Sequence, residues 1–322
     1  MFLRWANPQQ KGEALSNASW PPPTLRPAGP FAEPLAEITW VMLAVGFAVL
    51  AIVLAVLWFA LGKTPLRQEI AKPRAILIGG FLFPVVVLTA SLIYGLWTTA
   101  RVVDPPPPGE MRIRIVGEMW WWRVTYFDDD RPVFETANEI RIPVGVPVTF
   151  ELESADVIHS FWAPEIAPKL DMIPGRRNIV RGQADRAGVY RGMCTEYCGA
   201  AHALMAFEIV ALAPDAFDAW RAAQASPANG ADLEGAGLFD DAGCAACHTV
   251  RGTDANGRVG PDLTHVASRR TLAAGVLPND GATMRRWIAH ADALKPGVRM
   301  PSYRQLSQAD IDMLARYMES LR

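Results

Sequence analysis

The stretch Cys194-Thr195-Glu196-Tyr197-Cys198-Gly199-Ala200-Ala201-His202-Ala203-Leu204-Met205 decides how this chain is read. It sets two thiols, an imidazole and a thioether close together, all soft or borderline donors suited to copper. A second imidazole, His159, stands upstream in Asp156-Val157-Ile158-His159-Ser160-Phe161-Trp162. A mononuclear blue-copper site needs one Cys, two His and an axial Met. Here a second Cys is left over, and two thiolates that each bridge two metals would use it. With only four Cys in the chain, all fall into two short pairs, Cys194 with Cys198 and Cys244 with Cys247. Those are ligand or cofactor-attachment spacings rather than a disulfide framework. Two local disulfides in an exported protein are the plainer alternative, and the His residues beside each pair speak against it.

The second pair lies in Cys244-Ala245-Ala246-Cys247-His248, the CxxCH signature in which two thiols add to haem vinyl groups and the adjacent imidazole meets the iron. Gly243 before it, Gly260-Pro261-Asp262-Leu263 after it and Met300-Pro301 further on add weight, because a sixth ligand belongs near there. Met300 is that ligand. Met284 and Met313 compete, but both sit in helical stretches where a Met more often packs a core. His265 and His290 read as structural or solvent-exposed, with a haem propionate as the alternative contact for His265. A zinc site from Cys244, Cys247, His248 and His265 is poorly served by contiguous Cys247 and His248.

Around these motifs the 322 residues leave room for two soluble domains and a membrane anchor. A net charge of −2 gives no footing for nucleic acid. Residues 1–36 form a Pro-rich arm, unstructured or partner-bound, without the charged start, apolar stretch and cleavage site of a signal peptide. Residues 38–61 and 75–98 are uncharged runs long enough to cross a bilayer, which takes about 20 residues, so 37–100 reads as a helical hairpin. The loop between them carries Lys63, Arg67, Lys72 and Arg74 against Glu69 and so belongs on the cytoplasmic side. Pro84 inside the second run is tolerable and suggests a kink. Prolines 105–108 stiffen the exit from the membrane. Residues 112–116, 120–126, 139–143, 146–152, 179–183 and 205–211 then read as strands, making 109–214 a β-sandwich or barrel. An Ala-rich helix with Phe217 and Trp220 on one face follows in a linker, 215–232, that turns polar near 226–230. The end, 233–322, is mostly helical, with periodicity at 233–239, 283–289 and 307–321 and an N-cap signal from Ser307 and Asp310.

With HSFW upstream, the CxExCGxxHxxM string resembles the CuA loop of cytochrome c oxidase subunit II, a resemblance that covers residues 38–212 with the hairpin. The tail resembles a class I cytochrome c, and the two together resemble subunit II of a caa-type haem-copper oxidase. The resemblance implies a multidomain membrane protein: a two-helix transmembrane hairpin, a cupredoxin-like β-sandwich or barrel, and an all-α cytochrome c domain. It implies a binuclear copper centre bridged by Cys194 and Cys198, with His159 and Met205 completing one copper and His202 and the Glu196 carbonyl the other. The Glu196 carboxylate would bind magnesium at the face of subunit I. One haem c would be held covalently by Cys244 and Cys247, with His248 and Met300 axial and the Pro261 carbonyl orienting His248. Trp120, the first of three tryptophans read as lying on a strand, is the implied electron relay.

The implied activity is oxidation of ferrocytochrome c, with dioxygen reduced to water and protons pumped in subunit I. No residue of this chain performs the oxygen chemistry. The implied partners are subunit I, other oxidase subunits and an upstream donor, either a cytochrome or a quinol-oxidising complex. The implied place is a bacterial inner membrane, with both termini and the metal domains outside. Two other readings stay open: the small subunit of a CuA-containing nitric oxide reductase, and a membrane-tethered electron carrier. Nitrous oxide reductase needs far more than the five His present, and a quinol oxidase subunit lacks the copper ligands. The chain departs from many members in one respect. Ile76, Leu77 and Ile78 stand near the start of the second helix, where a Glu marks the mouth of a proton path.

Overall fold

The computed structural model describes residues 21–63, 65–103, 105–229 and 235–322. The first twenty residues of the Pro-rich arm, residues 230–232 of the expected linker and residues 233–234 at the start of the expected haem domain lie outside the described residues. Two units emerge, divided between Pro105 and Pro106.

The first unit is the hairpin. Glu33–Leu61 forms one helix. It starts ahead of the apolar run because Pro34 fits a first turn, where its missing N–H breaks no bond, and Glu33 meets the positive end of the dipole. The second span comprises a helical turn at Pro73–Leu77, a π turn at Ile78–Leu82 and a helix at Phe83–Ala100. The irregularity expected at Pro84 is thus a π turn just ahead of it, in which the Phe83 N–H donates to the Ile78 carbonyl. Both spans are long and apolar enough to cross a membrane. Their large apolar side chains face outward, as a lipid-facing surface requires. Glu37 ties the two together: Tyr94 Oη donates to its carboxylate at 2.9 Å and Arg101 pairs with it at 3.0 Å.

The second unit opens with a sandwich of ten strands. They are β1 (Met111–Glu118), β2 (Trp121–Asp128), β3 (Arg131–Ala137), β4 (Glu139–Pro143), β5 (Val148–Ser154), β6 (His159–Trp162), β7 (Leu170–Met172), β8 (Asn178–Gly182), β9 (Gly188–Cys194) and β10 (Ala206–Leu212). One sheet runs β3-β2-β1-β5-β8 and the other β4-β10-β9-β6-β7. Strands β1 and β5 are parallel, as are β4 and β10, and the remaining neighbours are antiparallel. Alternation in β1 and β2 buries every second side chain, the period a half-buried strand dictates. Trp122, Phe161 and Phe207 meet at the centre, with Phe161 stacked on Phe207 at 4.5 Å and Trp122 edge-on to Phe207 at 5.1 Å. That cluster explains Gly192 in β9, where a Cβ would stand 2.1 Å from the Phe207 ring.

Helix Pro214–Ala225 packs back on this sandwich, Trp220 meeting Tyr126 at 5.3 Å and Phe134 at 5.7 Å. Beyond the linker come helices Ala236–Asp241, Gly281–Leu294 and Gln308–Ser320, which bury Phe239, Met284, Ile288, Leu314 and Tyr317 together. Ser307 and Asp310 form a full capping box at the start of the last helix. One small hairpin, Thr271–Leu272 with Leu277–Pro278, interrupts this otherwise helical end.

Candidate metal centres

Strands β9 and β10 are antiparallel neighbours, with Met193 opposite Ala206. The copper-type loop is therefore an excursion closed at its base, where the Cys194 N–H donates to the Met205 carbonyl at 2.9 Å. Strand β6 pairs with β9 through Phe161 opposite Cys194, which carries His159 to the same end of the sheet. The donors converge. Cys194 Sγ lies 3.8 Å from Cys198 Sγ, 3.9 Å from His159 Nδ1 and 3.2 Å from the Glu196 carbonyl oxygen. Cys198 Sγ lies 3.5 Å from His202 Nδ1 and 3.9 Å from Met205 Sδ. A disulfide requires sulfurs at about 2.05 Å, so the thiols are free and far enough apart to share metal between them.

The electrostatics suit a cation. The hydrogen bond between the two thiols lowers the pKa of Cys194 and raises that of Cys198, so the pair favours holding one proton between them. Burial opposes charge on His159, but bonds to Cys194 and Asp156 outweigh it and raise its pKa. Asp156 accepts from the Met119 N–H at 2.8 Å and contacts His159 Nε2 at 2.8 Å, which leaves Nδ1 toward the sulfurs. A carboxylate behind a ligating imidazole fixes its tautomer and orientation. The sequence reading did not give Asp156 this role, although an acid three residues ahead of the histidine is a local signal. Gly117 on β1 had no such signal: a Cβ there would stand 2.8 Å from the His159 ring.

In the haem end Cys244, Cys247, His248, Pro261 and Met300 line one cavity. The His248 Nδ1–H donates to the Pro261 carbonyl at 2.7 Å, leaving Nε2 as the acceptor. Burial holds its pKa down, and a neutral imidazole is the form that binds iron. Gly260 is the seat of that ring, since a Cβ would stand 2.5 Å from His248 Cε1. Arg269, buried in the cavity wall, has an Nε without a hydrogen-bond partner. A buried donor of that kind calls for an anionic acceptor, and the propionate of a haem supplies one. Met284 lines the same cavity and Met313 does not. His265 is turned away, its Nε2 3.0 Å from the Ser226 carbonyl oxygen.

Trp120 joins the two centres. It lies in the turn before β2 rather than on the strand, because the chain reverses there between β1 and β2. Its indole N–H donates to the Cys198 carbonyl at 2.8 Å, and the residue also lines the haem cavity. Lys295, a second residue sequence reasoning missed, reaches from the haem end to the Trp120 carbonyl, and burial pushes its ammonium down to about 7.

Residues 128–212 match the cytochrome c oxidase subunit II periplasmic-domain family and residues 233–322 the cytochrome c family. Cytochrome c oxidase subunit 2 of Alkalihalophilus pseudofirmus is 33% identical over 285 residues, which span 86% of this chain and 82% of that one. The Bacillus sp. protein of the same name is 29% identical over 75% of this chain and 72% of its own. The crystal structure of the periplasmic domain of subunit II of cytochrome oxidase from Bradyrhizobium japonicum is 30% identical, covers 37% of this chain and 95% of its own, and has a TM-score of 0.35. Copper and haem c are the cofactors that these two families imply; the free thiols and imidazoles fit them, and the unpartnered Arg269 Nε fits a haem propionate. The chain belongs to the cytochrome c oxidase subunit 2 family, with a cytochrome c domain fused behind its periplasmic domain.

Proposed function

We propose that Cys194, Cys198, His159, His202, Met205 and the Glu196 carbonyl hold a binuclear copper centre. Cys244 and Cys247 bind one haem c, His248 and Met300 are its axial ligands, and Pro261 orients His248. When bound, the two groups supply one-electron chemistry that links an external donor, a cytochrome or quinol-oxidising complex, to the haem of subunit I, where dioxygen becomes water and protons are pumped.

The residues of this chain hold, orient and shield. Cys194 and Cys198 keep two soft sulfurs 3.8 Å apart, and Asp156 steadies His159 from behind. Trp120, bonded to the Cys198 carbonyl and set in the haem cavity wall, gives the two sites a short through-bond link. The Glu196 carboxylate is half exposed, which leaves it open to the face of subunit I, where it would bind magnesium. The basic loop between the two spans supports a cytoplasmic turn, with both termini and both metal sites outside the bacterial inner membrane.

The observation that carries the proposal is the convergence of the copper donors around two free thiols. An optical and EPR spectrum of the purified full chain tests it. The expected result is a low-spin haem c beside a mixed-valence copper signal, and a haem spectrum without that copper signal would overturn the copper half.

A further inference from the structure

We propose that Lys295 locks the haem end onto the copper sandwich in a single electron-transferring pose, with the Trp120 indole clamped between the two metal sites. The inference rests on the reading of those sites given above. Tethered domains move relative to one another by default unless their interface holds them. Here the interface is built to hold.

Lys295 is 2% exposed and donates to the Trp120 carbonyl at 2.6 Å and to the Ala273 carbonyl at 2.9 Å. Burying an ammonium between neutral carbonyls is costly, and an apolar side chain of the same volume would fill the space without that cost. A lysine adds direction: it fixes which carbonyl of the copper sandwich faces which carbonyl of the haem end.

The segment it grips shows the same purpose. Ala273, Ala274 and Gly275 follow one another at φ 54°, 64° and 73°. Alanine in that region is strained and persists only where the surroundings over-determine it. All three carbonyls are engaged: Ala273 by Lys295, Ala274 by the Ala206 N–H at 3.0 Å, and Gly275 by Arg191 Nη1 at 3.1 Å. The last two donors belong to the copper sandwich, and Ala206 directly follows Met205. On the other side of the indole there is no slack. A Cβ on Gly297 would stand 2.8 Å from Trp120 Cη2, and one on Gly199 would stand 3.0 Å from Cζ2. The indole is thus held from the haem side and from the copper loop at once.

The test compares the wild-type chain with Lys295→Met, both assembled in the oxidase. Amide exchange at Ala206 reports the dock without any metal, and flash-induced transfer from haem to copper at varied viscosity reports its consequence. Loss of both Lys295 hydrogen bonds is expected to raise exchange at Ala206 by about ten-fold. Transfer should slow by a similar factor and become viscosity-dependent, because it then waits on redocking. A merely structural lysine would lower stability without creating viscosity dependence. Arg191→Gln, on the copper side of the same segment, should act in the same direction to a smaller degree, and it decides the matter if Lys295→Met fails to accumulate. Unchanged exchange and viscosity-independent transfer would overturn the latch while wild-type spectra leave the two centres standing. Absence of the centres from the wild type would remove that reading, and exchange at Ala206 would still decide the latch.

Discussion

Replacing Gly260 by alanine is expected to unseat the His248 imidazole while leaving haem covalently attached. The new Cβ would stand 2.5 Å from Cε1, 2.9 Å from Nδ1 and 3.1 Å from Nε2. Ordinary contact begins at 3.4 Å, so the ring must retreat by about 0.9 Å. The backbone cannot retreat instead, because the Gly260 N–H is bonded to the Cys247 carbonyl at 2.7 Å. Nor can the Pro261 carbonyl follow, since Pro261 is bonded to Gly260. A ring moved that far from a 2.7 Å contact loses its hydrogen bond, whose usual limit is about 3.2 Å. The lost bond costs about 1 kcal/mol and the overpacking about 1–3 kcal/mol, a total of about 2–4 kcal/mol. The assay is unfolding of the purified chain followed by haem absorption, with the optical spectrum and the haem potential read on the same sample. Haem stain should equal that of the wild type, while the low-spin spectrum weakens and the unfolding midpoint falls. Gly237→Ala is the control, since nothing lies within 4 Å of its Cβ, and a helix gains about 0.5–1 kcal/mol from such a change. An unaltered spectrum together with a stability loss below about 0.5 kcal/mol in Gly260→Ala, as at an ordinary surface position, would refute the account of the seat.

Gly117→Ala should do to His159 what Gly260→Ala does to His248, because its Cβ would stand 2.8 Å from Cδ2 and 3.0 Å from Cγ. Copper content and the copper EPR signal should fall while haem is unaffected, and a wild-type EPR signal would count against the seat. Met300→Ala should keep haem attached and lower its potential, because the covalent bonds are untouched and the axial thioether is gone. An unchanged potential would pass the role to Met284, the other cavity-lining candidate. Cys198→Ser should abolish the copper signal and leave haem incorporation normal, as measured by metal content and haem stain. Loss of both would show that the two sites do not form independently.

The candidate copper donors were legible because coordination demands particular residue types at short spacing, and the fold brings them together: the set spans one loop and one upstream histidine. The spans were legible because length and absence of charge suffice to mark them. What escaped was set by contacts distant in sequence. Strand β9 hid behind Gly188 and Gly192, which read as turn residues, yet Gly192 is there to admit the Phe207 ring. Strands β3, β6 and β7 are short or open on charged residues, so alternation had too few positions to show itself. Gly117 and Gly260 carry no chemistry of their own and matter only for the imidazoles that rest on them. Lys295, ahead of Pro296 and Gly297, reads locally as a cation at a helix end that completes the dipole in water. Its burial arises only when the copper sandwich closes over it.

That closure bears on how the fused chain differs from a free carrier and its oxidase. A flexible linker alone raises the local concentration of one module at the other to the millimolar range, which still leaves docking as an encounter. On the proposed latch, the buried bonds of Lys295 and Ala206, with that of Arg191 at the rim, make the docked arrangement the resting one. Trp120 then keeps 8% of its surface exposed, so a separate protein cannot reach the copper loop through that indole while the dock holds. The haem cavity keeps exposed lining of its own, at Val259 and Arg299. On the proposed latch, fusion does more than shorten a search: it covers the Trp120 indole with the chain's own haem end.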